Sequence, residues 1–158
     1  MKILAELKSL RALVHSNSKA APNLRLPDSC PALPATTGEA VRNLEDYLGN
    51  EENSHKLVTY FSKFGGTDIG DTLRRLLRSF LSKEASLQFS WKGSGGRKLA
   101  FANLKNINDL LLGCVMVNHA NASMQDVCNV VKRWLVGAQD REGGRSRRRH
   151  EENVHESP

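Results

Sequence analysis

The chain has 158 residues, 39% of them hydrophobic and 25% charged, with a formal net charge of +6 and a pI near 9.5. That length suits one domain with extended ends, and the basic balance favours anionic partners such as nucleic acid or acidic protein surfaces. No stretch approaches the run of about 18 apolar residues that spans a membrane, and aromatics at 6% are too few for a long single-strand stacking platform.

Residues 1–15 predict a short amphipathic helix, with Ile3, Leu7, Leu10 and Val14 on one seam. The seam lasts only two heptads. It reads either as a helix frayed at its ends or as the end of a longer dimerising coil, which makes residues 3–14 the candidate homo-oligomer element. Glu6 and Lys8 interrupt any signal-peptide core, so secretion is not expected. Residues 16–36 hold Pro22, Pro27, Pro31 and Pro34 among serines and asparagine. They read as a linker with little fixed structure.

A helical domain is expected over residues 37–141. Thr36-Thr37-Gly38-Glu39 offers a cap for a helix to about Leu48, with Val41, Leu44 and Leu48 on one face. A second helix runs from about Glu51 to Phe64, with Leu57, Val58, Phe61 and Phe64 as its stripe, until Gly65-Gly66 stops it. Thr67 can cap a third over 68–81, where Ile69, Leu73, Leu76, Leu77 and Phe80 share a face and Arg74, Arg75 and Arg78 lie away from it. Ser82 can cap a short helical turn, Lys83 to Leu87. Phe89 and Trp91 then alternate with Gln88 and Ser90, which suits a brief extended segment. A helix over 107–117 is apolar on most sides and should be the central one. Ser123 and Asp126 resemble a capping box opening a last helix to about Gln139, with Val127, Val130, Val131, Trp134 and Ala138 facing the core. The charged tail, 142–158, is disordered by composition. The expected fold class is therefore all-α, a compact bundle of about five helices.

Nothing in this pattern suggests chemistry. Cys30, Cys114 and Cys128 have no zinc spacing, and a reducing compartment suits them. The five histidines are scattered, without an evident nucleophile or metal partner. No GxSxG, HExxH or supported carboxylate pair occurs. Neither a catalytic residue, a metal nor a cofactor is expected, and the chain reads as a non-enzyme.

The most informative stretch is Phe89 to Phe101, with three aromatics, three glycines and three cations (Lys92, Arg97, Lys98) between apolar segments. Gly93-Ser94-Gly95-Gly96-Arg97-Lys98 lacks the spacing of a Walker A loop. Two readings stay open: backbone amides and cations that contact phosphate, or a surface turn whose glycines only permit chain reversal. Phe89, Trp91 and Phe101 read as anchors pinning the loop ends. From Leu73 to Asn106 there are eight bases and one acid, a local +7, whereas 39–52 holds five acids and one base. In the last helix Gln125, Asn129 and Lys132 recur on one face beside Arg133. That face is either an ordinary solvated one or a major-groove reader. Arg145 to Arg149 suits a nuclear import signal or a nonspecific nucleic-acid tail.

These residues also resemble a known family. The span from about Leu44 to Arg141 is similar to domain of unknown function 4806, an all-helical module found mainly in arthropod proteins, many of them transposon-like. The likeness rests on Phe64-Gly65-Gly66, Arg74-Arg75-Leu76-Leu77, Phe89-Ser90-Trp91-Lys92-Gly93, Lys98-Leu99-Ala100-Phe101, and Trp134-Leu135 with Ala138 and Arg141. It implies a helical module of transposon-derived origin and assigns no activity. A weaker likeness runs to the BEN domain, a helical DNA-binding module, from which the loop departs at Gly95 and Gly96.

The leading expectation is a nuclear, otherwise cytoplasmic, binding module for nucleic acid, double-stranded DNA in particular, or for a chromatin protein. Arg74, Arg75, Arg78, Lys92, Arg97 and Lys98 would contact phosphates, and Gln125, Asn129, Lys132 and Arg133 would face the duplex. The alternative is a protein-interaction or oligomerisation domain without direct nucleic-acid contact.

Overall fold

Most of the helices begin where a nearby side-chain oxygen takes over amides that have no partner within the helix. The computed structural model describes residues 25–139, so the expected N-terminal helix, Arg141, the Arg145–Arg149 run and the tail lie outside the described residues. Thr37 caps α1 (Gly38–Tyr47) by accepting from the Ala40 amide at 3.0 Å. Asn50 caps α2 (Glu51–Phe61), taking the Glu52 and Asn53 amides on one oxygen. The cap of α3 (Ile69–Phe80) is Asp68 rather than the expected Thr67. Asp68 accepts from the Asp71 amide at 2.7 Å, and Asp71 reaches back to the Thr67 amide at 3.0 Å, so Thr67 is a donor in this cap. Ser82 opens the single turn α4 (Lys83–Leu87) as expected. Ser123 and Asp126 form the full capping box of α6 (Met124–Val136), which a 3-10 turn extends over Gly137–Gln139.

The central helix α5 (Lys105–Asn118) is different. Leu104, at its cap position, offers no side-chain acceptor. Glu45 of α1 supplies it from 61 and 62 residues away. One carboxylate oxygen accepts from the Asn106 amide at 2.8 Å and the other from the Ile107 amide at 2.9 Å, while the Glu45 carbonyl accepts from Asn106 Nδ2. The two amides are those a local cap would bind, and a negative charge is favoured at a helix N-terminus. Contacts with α1, α2, α3 and α6 surround α5. Ile107, Leu110, Leu111, Cys114 and Val115 are buried in the core, in line with the expected central role.

The remaining core follows the apolar stripes. Leu73, Leu76, Leu77 and Phe80 of α3 are buried, and α3 packs along α6 through Val127, Val131 and Trp134. Phe61 meets Phe80 edge-on at 4.5 Å. The stripe of α2 ends early, because the helix stops at Phe61. Phe64, expected on that stripe, is 44% exposed beside Tyr60 and Phe61. Val117, expected in the buried helix, is 60% exposed on the last turn of α5.

The expected looseness of 16–36 does not hold for its last twelve residues. Leu26, Cys30 and Leu33 lie half-buried against the core, and Ala35 is 1% exposed. Ala35 donates to the Phe80 carbonyl and accepts from the Ser82 amide, so it closes the C-terminal end of α3 like a short parallel strand. Prolines remove amide donors and helical periodicity from this segment, but they leave carbonyls and apolar side chains that can still pack.

Two short strands complete the fold. β1 (Phe89–Ser90) pairs in parallel with β2 (Leu99–Ala100), Phe89 opposite Leu99 and Ser90 opposite Ala100, and a 3-10 turn over Phe101–Asn103 leads into α5. The molecule is thus mostly helical, with six α-helices among the described residues if the single turn α4 is counted.

Two outcomes test this account. Glu45→Ala should lower unfolding free energy in urea by about 1–2 kcal/mol, since it removes a cap and a charge from a helix N-terminus, and Glu45→Gln should recover part of the loss. An unchanged urea midpoint would remove the tether's role. Asp71 has its carboxyl pKa held below the usual carboxylate value, chiefly by the hydrogen bond from the Thr67 amide and then by the Arg75 and Arg74 charges. A depressed folded-state pKa adds stability above the unfolded-state pKa and loses it as pH falls through the folded value. Thermal melts between neutral and acid pH should therefore show a shallower acid loss in Asp71→Asn than in the parent chain.

Candidate nucleic-acid interface

The loop between β1 and β2 reverses direction twice. Arg97 donates to the Ser94 carbonyl at 2.7 Å around Gly95 and Gly96, whose φ values are 39° and 81°. Two successive residues in the left-handed region are what a tight hairpin turn of the primed type needs, and glycine adopts them without strain. Ser94 and Lys98 then pair antiparallel. Gly93, at φ 78°, passes so close that a Cβ there would lie 3.2 Å from the Lys98 carbonyl. The glycines therefore serve chain reversal and close approach, which leaves both readings of the loop's cations open.

The anchors beneath the loop are graded in depth. Phe89 and Phe101 are buried and meet edge-on at 5.8 Å. Trp91 is half-buried, stacked over Phe101 at 6.4 Å, and its carbonyl accepts from the Ala102 amide at 2.9 Å. The outer side of the indole meets α6, where Lys132 Nζ lies 5.7 Å from the ring centroid. A cation over an indole face is attracted by the ring quadrupole.

Trp91 walls two shallow recesses. One, of about 140 Å³, is lined by Phe89, Ser90, Trp91, Lys98, Lys132, Leu135 and Val136. Two ammonium groups from segments 34 residues apart share it, and its lining includes no carboxylate. Ser90 Oγ is buried here without a hydrogen-bond partner among the described residues. The other, of about 200 Å³, is lined by Trp91, Ala102, Lys105, Asn108, Asp109, Met124 and Cys128. A larger cleft of about 580 Å³ lies between Pro34, Arg78, Leu81, Ser82, Lys83, Glu84 and Trp134.

All ten expected contact residues are exposed. Lys98 and Lys132 are brought together. Arg133 follows Lys132 on α6, and Arg78 lines the cleft that Trp134 of α6 also lines. That cleft holds the carboxylate Glu84 as well as Arg78 and Lys83. Arg74 and Arg75 lie in the middle of α3, one turn before Arg78, and line none of these recesses. Arg75 Nε pairs with Asp71 Oδ2 at 3.1 Å, and Arg74 lies back over Gly70. Lys92 and Arg97 stand on the loop but line none of these recesses. Gln125 donates to Asn129 at 3.0 Å, so each already has a partner on the same helix face. Sequence reasoning gave Asn108 no role, and Ser90 none beyond its place in the alternating segment and the Phe89–Gly93 motif.

His119 Nε2 lies 3.1 Å from Thr72 Oγ1, and His55 is exposed. Burial pushes the Cys114 thiol up to about 12 and raises that of Cys30. Among the described residues no group of histidines, cysteines and carboxylates could hold a metal ion, and no helix is long and apolar enough to cross a membrane.

No curated protein and no solved structure matches the chain, so the BEN-domain likeness finds no support there. Residues 31–114, just over half of the chain, match the family described as Domain of unknown function (DUF4806). The match takes in the Phe64-Gly65-Gly66, Arg74–Leu77, Phe89–Gly93 and Lys98–Phe101 motifs. It begins inside the proline-rich segment that packs on α3 and stops within α5, short of Trp134, Leu135, Ala138 and Arg141. The chain belongs to the DUF4806 family, whose description leaves its function open.

Proposed function

We propose that this protein is a non-enzymatic, nuclear binding module for double-stranded DNA, of transposon-derived origin. The observation behind this reading is the meeting of Lys98 and Lys132 beside Trp91 in a recess lined by no carboxylate. Two like charges held near one another repel, and a phosphate between them relieves that repulsion while releasing counterions from the nucleic acid. Arg133 and Arg78 widen the cationic surface around the second half of α6. The basic run Arg145–Arg149 supports a nuclear address. Phosphate contacts of this kind position a protein on nucleic acid without reading bases, so the affinity should be largely independent of sequence.

A second reading is a protein-docking module. The Phe64 segment is tied to the end of α5 by Asn118 Nδ2 donating to the Ser62 carbonyl, and Met116 and Val117 at that end are 42% and 60% exposed. These apolar groups lie away from the lysine recess and could receive a chromatin protein or a second copy of the chain.

Titration of a duplex of about 20 base pairs at rising salt discriminates. The logarithm of the affinity should fall linearly with that of salt, and Lys98→Ala and Lys132→Ala should each reduce the slope by about 1. Absence of binding at about 50 mM salt, or a flat salt profile, would overturn the DNA reading. A concentration-dependent dimer in sedimentation that Phe64→Ser and Val117→Ser abolish would favour the second.

A further inference from the structure

The stretch from Lys92 to Lys98 leaves the body of the protein as a stiff projection. Ser94 and Lys98 face each other across the turn, with the Ser94 amide donating to the Lys98 carbonyl at 3.1 Å, and the Arg97 amide closes on the Ser94 carbonyl at 2.7 Å. A Cβ built on Gly95 or Gly96 would meet nothing within 4 Å, so the turn stands clear of the rest of the molecule. At its base Gly93 is held against the Lys98 carbonyl, and the buried rings of Phe89 and Phe101 anchor both ends of the loop in the core. The charge of the projection is all of one sign, for no acidic residue occurs between Glu84 and Asp109. Lys92 stands on one limb and Lys98 on the other, with Arg97 beside the two glycines, and all three are exposed. Arg97 makes no ion pair among the described residues and lines none of the recesses. Lys98 also lines the recess it shares with Lys132, so the projection adjoins the proposed phosphate site.

The shape of the tip decides how it meets a duplex. A two-stranded ribbon that enters the major groove reads bases through side chains, and two successive turn residues here are glycine and have none to offer. The paired limbs, with backbones about 4.8 Å apart before their own thickness is added, are too broad for a minor groove about 6 Å wide. A single guanidinium is not. The bare glycines let the turn lie close over the groove, where Arg97 is the side chain placed to enter. A guanidinium is more weakly hydrated than an ammonium and gives up its water at lower cost. The narrow minor groove of A·T-rich sequence carries the more negative potential and attracts such a group. We propose that Arg97 enters the minor groove of the bound duplex while Lys92 and Lys98 meet phosphates along its walls, so that the chain prefers A·T-rich DNA. The inference rests on the nucleic-acid reading above and deepens it, adding a preference that the contacts of Lys98 and Lys132 with phosphate do not give by themselves.

The test titrates the full chain with three duplexes of equal length: one A·T-rich, one G·C-rich, and one in which inosine replaces every guanine of the second. Inosine lacks the minor-groove amino group of guanine, so an I·C pair resembles A·T in the minor groove and G·C in the major groove. The A·T and I·C duplexes should bind about tenfold more tightly than the G·C duplex, the scale of one specific contact. Arg97→Lys keeps the charge but not the planar, weakly hydrated head, and it should weaken binding to the A·T and I·C duplexes until the difference is gone. Equal affinities for all three duplexes, or a preference for G·C, with the salt slope retained, would overturn this inference and leave the broader reading standing. So would a preference for A·T that I·C does not share, which places the contact in the major groove, or one that Arg97→Lys leaves intact. Binding to none of the three would overturn both. The comparison of duplexes uses the parent chain alone and decides the groove whether or not the variant folds.

Discussion

The arrangement depends on one carboxylate. Glu45 leaves the surface of α1 and places both oxygens on the first amides of α5, the helix around which α1, α2, α3 and α6 are packed. Leu104 cannot perform this task, since a leucine has no acceptor to offer. A central helix whose N-terminus lacked a partner would face a cost at the very end that joins the loop to the core. The tether joins the acidic first helix directly to the N-terminus of α5, where Asn108 in turn holds the Phe101 and Leu104 carbonyls.

From that fixed end the candidate site follows. The 3-10 turn and β2 are held by Phe101, buried at the foot of Trp91, and by the Ala102 amide on the Trp91 carbonyl. Trp91 is thereby held half-buried between α5 and α6 rather than lost in the core. Trp91 then lines two recesses, one shared with Lys98 and Lys132 and the other with Lys105 and Asp109. Rigid support below and exposed cations above suit recognition of a polyanion, because the ordering cost of the site is met on folding rather than on binding.

The family motifs divide along the same line. Phe64-Gly65-Gly66 lies just past the end of α2 and turns the chain, with Gly66 packed so tightly against Thr72 that a Cβ would lie 2.6 Å from its amide. Leu76 and Leu77 belong to the core, whereas Arg74 and Arg75 remain on the surface beside Asp71. Phe89 to Gly93 and Lys98 to Phe101 build the loop and both its anchors. Most of the shared pattern thus maintains the fold, and the proposed binding lies at its half-buried Trp91 and exposed Lys98.

The sequence by itself determined the helices, several of their caps and most of the apolar stripes, because each of these rests on interactions within four residues. Thr37, Asn50, Ser82 and the Ser123–Asp126 box act on their own first turns, and Leu73, Leu76, Leu77 and Phe80 recur at helical spacing. Local charge density pointed to Lys98, and the polar face of the last helix pointed to Lys132. Their meeting at one recess was decided only by tertiary structure, as were the parting of Arg74 and Arg75 from them, the capture of α5 by Glu45 and the docking of Ala35 on α3. Each of these joins groups dozens of residues apart, and periodicity holds no information about separations of that kind. Asn108 and Ser90 were invisible for a further reason: an unpartnered atom is defined by what fails to reach it once the chain has folded.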